Sequence, residues 1–187
     1  MSIAHVEVKI KGMSPGLLMH NYPMVPINGI EKLPPDEQAE YSAYRDDATG
    51  KLYIPGTAIQ RALVAGAAYS KGKGRASLQK QVAACLFVNP HIIDLGIKEY
   101  VLDARPVVIR ATKGRIVRYR PRIPEWEASF EIEYDEVLLK EGEIRQIVDD
   151  TGLRVGLLDF RPACKGPFGR FVVTHWKLIR AKDLKIA

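Results

Sequence analysis

Basic side chains recur along residues 105–122 (RPVVIRATKGRIVRYRPR), a stretch that contains no acidic residue. They alternate with β-branched and aromatic residues, which is typical of a strand. Residues two apart in a strand share a face at a spacing of roughly 6 to 7 Å, close to the repeat of an extended phosphate backbone. Guanidinium groups hold phosphate oxygens with paired hydrogen bonds, so the stretch predicts a phosphate-binding surface. The basic residues are Arg105, Arg110, Lys113, Arg115, Arg118, Arg120 and Arg122.

The same strand also has a purely structural interpretation. Four glutamates follow it in the sequence, at 125, 127, 131 and 133. If they lie on a neighbouring strand, they neutralise the arginines across the sheet. The protein would then be a scaffold that binds no nucleic acid, and this alternative stays open.

A second candidate is the glycine-rich segment 156–171 (GLLDFRPACKGPFGRF). Glycines let a backbone approach a phosphate closely and present its N–H groups, and phenylalanine rings stack on bases. The alternative is an ordinary turn before a strand. The binding candidates in this segment are Arg161, Lys165, Gly166, Gly169 and Arg170, with Phe160, Phe168 and Phe171 as stacking candidates.

A third candidate is the segment 53–62 (YIPGTAIQRA), in which a Pro-Gly turn leads into a helix. The first amides of a helix have no intrahelical partner and lie at its positive end, which favours anions. We expect Thr57 to cap this helix. Gly56, Thr57 and Arg61 are the predicted contacts.

The composition agrees with a polyanionic partner. Twenty-eight Lys and Arg residues against 22 Asp and Glu give the 187-residue chain a formal charge of +6. The two cysteines, Cys85 and Cys164, have no metal-ligating neighbour at a useful spacing, so we predict reduced thiols, no metal and no cofactor. Apolar runs are too short to span a bilayer. These features favour a soluble, cytoplasmic protein with no membrane partner.

The elements that would position these residues form a recognisable order. We predict a strand at 3–12, a long loop at 13–53 with a short helix at 35–41, and a helix that starts at Thr57. A short helix at 77–82, a strand at 84–88, hairpins within 98–134, a helix at 141–151 that ends at Gly152, and a last strand follow. This order predicts a single α+β domain, 1–187, with a ferredoxin-like (RRM-type) β-α-β-β-α-β core, a long first loop and a β-hairpin insertion. Such modules hold single strands on a free sheet face or in a crossing groove.

Two of these segments resemble the RAMP superfamily, the ferredoxin-like subunits of CRISPR effector complexes. They are YRDDATGKLYIPGTAIQRAL and GLLDFRPACKGPFGRFVV, and the opening KIKGMSPGLLMH is similar to the first strand and turn of that family. The chain departs from the family in having Thr57, Ala58 and Gln60 where paired serines and a lysine occur. It is also short for a backbone subunit, which favours a stand-alone relative of the kind that phages and mobile elements carry.

The resemblance implies single-stranded nucleic acid, RNA before DNA, as the partner, and copies that assemble side by side along the strand. It also leaves an enzymatic alternative, because some relatives cleave RNA without a metal, using a histidine or an acid before the Pro-Gly turn. His20 and Asp46 are the catalytic candidates here, with Glu40 and Asp47 beside them. Asp46 fits a tight turn equally well, so the sequence favours binding without catalysis.

Overall fold

The computed structural model describes residues 2–21, 29–70, 77–108 and 112–179. The strands are β1 (Ile3–Gly12), β2 (Leu17–Leu18), β3 (Tyr53–Pro55), β4 (Leu86–Asn89), β5 (Ile92–Asp94), β6 (Val101–Val108), β7 (Arg115–Ile123), β8 (Glu127–Asp135) and β9 (Phe171–Ile179). The helices are α1 (Pro35–Tyr41), α2 (Gly56–Gly66), α3 (Gln79–Cys85) and α4 (Glu141–Asp150). Short 3-10 turns lie at Ile30–Lys32, Ala67–Tyr69 and Pro162–Cys164.

Four strands form the central sheet in the spatial order β4-β8-β1-β9, and all neighbouring pairs are antiparallel. Along the chain, α2 lies between β1 and β4, and α4 lies between β8 and β9. This order of strands and crossing helices is the ferredoxin-like arrangement. The predicted α+β fold class is therefore confirmed.

One face of the central sheet carries the core. In β1, Val6, Val8 and Ile10 are buried while the residues between them point outward. The apolar stripes of α2 and α4, which include Leu63 and Ile147, are buried in the same cluster. Each fully buried aliphatic side chain of this kind contributes about 1.5 to 3 kcal/mol.

The predicted hairpin insertion is a separate layer. Strands β6 and β7 pair antiparallel, with Asp103 opposite Arg120 and Arg105 opposite Arg118. Together with β2 they form a three-stranded sheet, and β3 and β5 form a two-stranded one. Strand β8, which we grouped with the hairpins, belongs instead to the central sheet, where it lies between β1 and β4.

Four predicted element boundaries are wrong. Helix α2 begins at Gly56 after Pro55, so Thr57 lies in its first turn and is not the cap. The short third helix and the strand after it begin two residues later than expected. The chain also stays helical beyond Gly152, through a π-helical turn at Thr151–Val155. A Cβ at Gly152 would lie 2.3 Å from the carbonyl oxygen of Phe171, so this glycine permits close packing against β9.

Candidate nucleic-acid interface

A cleft of about 410 Å³ opens where three distant segments meet. One wall is the first turns of α2, with Thr57 and Arg61. The opposite wall is the loop 156–161, which contributes Asp159 and Arg161. His20, just after β2, closes the inner end. The fold thus brings together residues from two of the predicted binding segments and the predicted catalytic histidine.

The α2 wall presents polar side chains because of its helical spacing. Thr57 and Arg61 are four residues apart, so they share one face of the helix, and both are exposed. The positive end of the helix dipole lies at the same place. Gly56 packs closely against the segment before β5: its N–H donates to the carbonyl of His91 at 2.8 Å, and a Cβ there would lie 2.6 Å from the carbonyl oxygen of Pro90.

The opposite wall is a strained loop. Besides Gly156, the bulky residues Leu158 and Phe160 have positive φ angles of 57° and 46°, a conformation that side chains other than glycine rarely adopt. Backbone of this kind is held by its surroundings and clusters at functional sites. Here the N–H of Asp159 donates to the carbonyl of Leu18 at 3.0 Å, and the Arg161 guanidinium donates to the carbonyl of Leu158 at 2.7 Å.

The glycines of this segment serve its own packing. A Cβ at Gly166 would lie 1.9 Å from the carbonyl oxygen of Phe160, and one at Gly169 would lie 1.9 Å from that of Leu157. At both glycines the direction of a side chain is therefore occupied by the loop's own backbone. Phosphate contact at Gly166 and Gly169 stays a prediction.

The phenylalanines of the segment do not form a stacking platform. Phe168 and Phe171 are fully buried, and Phe171 packs edge-on against Trp126 in the core. The guanidinium of Arg105 lies over the rings of Phe160 and Phe168, 5.9 and 4.7 Å from their centroids. These rings are covered by a cation from the hairpin.

The arginine strand turns one face toward the protein. Arg120 is only 7% exposed, and its guanidinium forms an ion pair with Asp159. The Asp103 carboxylate forms ion pairs with two arginines, with N–O distances of 2.6 Å to Arg105 and 4.0 Å to Arg122. The acids predicted to neutralise this strand, at 125, 127, 131 and 133, follow β7, but β8 does not pair with it. Two acids that we did not predict partner it instead.

Other cations of the prediction remain accessible. Lys113 and Arg115 are exposed at the outer end of the hairpin, and Lys165 is exposed beside the glycine-rich loop. Arg118 faces His20, with 3.3 Å between Nη1 and Nε2. Arg170 is half-buried, and its Nη2 lies 3.7 Å from the sulfur of Met13. Arg110 lies outside the described residues.

His20 joins the cleft to the hairpin. It also lines a second cavity of about 50 Å³, which is bounded by Arg118 and Arg120 on β7 and by α1. Burial lowers the pKa of His20 from its usual 6.5; Asp159 opposes this effect, while Arg118 and Arg120 reinforce it. The imidazole is therefore neutral at pH 7.

The acidic catalytic candidates are engaged elsewhere. The Glu40 carboxylate pairs with Arg45 and accepts a hydrogen bond from the Tyr100 hydroxyl at 3.0 Å. The bond from Arg45 lowers the pKa of Glu40. Asp46 accepts from both the N–H and the hydroxyl of Thr49 at 2.8 Å, and its pKa is lowered by that hydroxyl. Neither carboxylate lines the cleft. Within the described ranges, no group of three or more His, Cys, Asp or Glu side chains could hold a metal ion.

The outer face of the central sheet is a poor site for a polyanion. Glutamates point outward from β1 and β8, and three of them pair within that face. The pairs are Glu7 with Lys177 at 3.9 Å, Glu127 with Lys11 at 3.7 Å, and Glu131 with His5 at 2.6 Å. Of the two locations predicted for a bound single strand, the free face of the sheet and a crossing groove, the groove is therefore the better one.

The fold has a solved counterpart. It is similar to a chain of type III-B Cmr-beta. That chain comes from a cryo-EM structure described as bound to cognate target RNA, with a TM-score of 0.56 and 13% sequence identity. The match covers 96% of this chain and 61% of the other, so this chain spans about three fifths of its counterpart. No family model matches the sequence. No curated protein matches it either. Of the helices that the structure describes, none is long and apolar enough to cross a membrane.

Three residues of this region were not predicted from the sequence. Tyr44, which lines the cleft, follows an irregular segment that gave no signal. Asp159 is the sole acid of the stretch 156–171, and an acid within a basic loop is a sign of an internal ion pair. Asp103 shares strand parity with Arg105, which places both on one face.

Proposed function

We propose that the protein binds single-stranded nucleic acid, RNA in preference to DNA, and that the cleft between α2 and the loop 156–161 anchors the backbone. One observation carries the proposal: Thr57, Arg61 and Arg161 reach the same cleft from segments a hundred residues apart in sequence. A volume of about 410 Å³ lies in the ordinary range for ligand sites. The paired Arg120 cancels the charge of Asp159, which leaves the cleft cationic.

The bound nucleic-acid strand would leave the cleft along the β6–β7 hairpin. His20 and Arg118 are in contact at the inner end, and the accessible Arg115, the first residue of β7, and Lys113, just before it, lie toward the outer end of the hairpin. Residues in a strand advance by roughly 3.3 Å each, so the distance from Arg118 to Lys113 suits two or three nucleotides. The similarity to a chain from an RNA-bound complex supports this choice of ligand and membership of the RAMP superfamily. We include side-by-side assembly of copies along the strand in the proposal.

The test is a titration of a fluorescein-labelled oligouridylate, followed by anisotropy across a KCl series. Each phosphate contact on a single strand contributes about −0.7 to the slope of log K against log salt. We expect Arg61→Ala and Arg161→Ala each to weaken binding and to reduce the slope by about one contact. The matched control is Arg145→Ala, on α4, which does not line the cleft. Unchanged affinity and slope in both cleft variants would refute the proposal.

A ribonuclease is the second candidate, and the neutral His20 in the cleft is the observation that favours it. A neutral imidazole accepts a proton, as a general base must. However, its Nε2 lies beside the Arg118 guanidinium, a donor that competes for this atom. Binding without cleavage therefore remains the preferred function. The scaffold alternative is weakened by the exposed Arg61 and Arg115, which the internal acids of the hairpin do not reach.

A further inference from the structure

We propose that the ion pair between the buried Arg120 and the half-buried Asp159 is a positioning device that sets the loop 156–161, and with it Arg161, in the binding geometry. This inference rests on the proposed function. It assigns Arg120 a role different from the phosphate contact that the sequence pattern predicts. Arg120 contacts no phosphate; it holds the loop that carries the contact.

The location of the pair supports the role. Arg120 is 8% exposed at its side chain and Asp159 is 28% exposed. The arginine thus lies beneath the cleft and the carboxylate in its wall. A guanidinium in that place reaches the ligand only by giving up its carboxylate, and an unpaired buried charge is very unfavourable.

The loop needs such an anchor. Leu158 and Phe160, which flank Asp159, both have left-handed backbone conformations, and these are intrinsically unfavourable for residues with side chains. Backbone hydrogen bonds join the loop to other segments, among them those that the Leu157 N–H donates to Gly169 at 2.9 Å and the Asp159 N–H donates to Leu18 at 3.0 Å. The ion pair links the loop to β7, which carries Arg120, beside the contact of the Arg105 guanidinium of β6 with the Phe160 ring.

The pair also fixes Arg161. The Arg161 guanidinium donates to the carbonyl of Leu158, one residue before Asp159. If Asp159 moves, the carbonyl that orients Arg161 moves with it. Buried ion pairs contribute little net stability compared with apolar residues, and their best attested use is to specify one arrangement.

Charge and position give opposite predictions for Asp159→Asn. Removal of an anion from a cleft that binds a polyanion should strengthen binding if charge alone matters. If the carboxylate positions the loop, binding should weaken. We expect Asp159→Asn to bind the labelled oligouridylate about tenfold more weakly, with an unchanged salt slope. Amide hydrogen exchange should become faster within 156–161 and stay unchanged in α4.

The double variant Arg120→Met/Asp159→Asn keeps the net charge, so a loss of affinity in it with an unchanged salt slope is not electrostatic. Its matched control is Arg145→Met/Asp149→Asn, which removes an ion pair of 3.0 Å on α4. We expect the Arg120/Asp159 double variant to bind the oligouridylate more weakly and the Arg145/Asp149 control to bind it as tightly as wild type. If circular dichroism shows that the double variant is unfolded, Arg120→Lys is used in its place. We expect Arg120→Lys to retain most of the affinity.

The outcomes separate the two proposals. Tighter binding by Asp159→Asn, or a salt slope in the double variant that falls by about 0.7, would overturn the positioning role, and the latter would make Arg120 a phosphate contact. If Arg61→Ala still reduces affinity and slope in that experiment, the proposed function stands. If Arg61→Ala and Arg161→Ala change nothing, the proposed function fails first.

Discussion

Replacement of Gly169 by alanine tests whether the glycines of the loop serve packing or phosphate approach. Gly169 has a φ of +69°, and a Cβ there would lie 1.9 Å from the carbonyl oxygen and 2.7 Å from the nitrogen of Leu157. Both neighbours are backbone atoms, so no side chain can rotate away. The main chain itself must move.

The magnitude follows from two effects. A left-handed conformation costs an L-residue roughly 1 to 2 kcal/mol. Displacement of Gly169 also breaks the 2.9 Å hydrogen bond that the Leu157 N–H donates to its carbonyl, and a buried donor without a partner costs about 1 to 3 kcal/mol. The lower entropy of the unfolded alanine chain returns a fraction of this. We expect Gly169→Ala to lower the free energy of unfolding by about 2 to 4 kcal/mol.

The assay is urea denaturation followed by tryptophan fluorescence. Trp126 is a suitable reporter because it packs against Phe171, two residues beyond the substitution. The control is Gly142→Ala in α4, where a Cβ meets nothing within 4 Å and alanine should stabilise the helix by roughly 0.5 to 1 kcal/mol. If Gly169→Ala is as stable as wild type yet loses RNA affinity, the packing argument is wrong and the glycine serves the ligand.

Three further results are expected. Since the folded pKa of His20 is lowered, the unfolded chain binds the proton first; stability should fall as the pH drops below about 6.5, by at most ~1.4 kcal/mol per pH unit, and less so in His20→Gln. The purified protein should leave RNA intact with or without Mg²⁺, and fragments that vanish in His20→Ala would contradict this. Light scattering with oligonucleotides of increasing length should show mass steps of 20.9 kDa, whereas one protomer at every length would exclude assembly.

The parts of the fold that the sequence predicted well are those with a local cause. Strand β1 has its predicted bounds because its alternation ends at a glycine, and α1 has its predicted bounds because Pro34 precedes it and Pro35 opens it. The C-terminal end of α4 was missed for a nonlocal reason. Gly152 looked like a helix terminator, but it is required by the approach of β9 from twenty residues further on.

The sequence predicts which basic residues line the site, but it does not predict the ion pairs that hold the site together. Arg61 and Arg161 were named because basic residues beside a helix start and in a glycine-rich loop favour anions. Which arginines of β7 stay accessible depends on a loop almost forty residues later in the chain. Arg118 and Arg120 share one face of the strand, and no pattern within 105–122 shows that Arg120 is buried while Arg118 is only partly buried.

The same comparison shows why charge density along a strand is an incomplete guide to a binding surface. Alternate residues of a strand face opposite sides, so the regular spacing that suits a phosphate backbone also suits a row of internal ion pairs. The acids decide between the two. Asp159 and Asp103 pair with Arg120 and Arg122 on one face of β7, and a nucleic acid is left with the hairpin end and the cleft. Strong binding then depends on how well a strained loop keeps Arg161 in place.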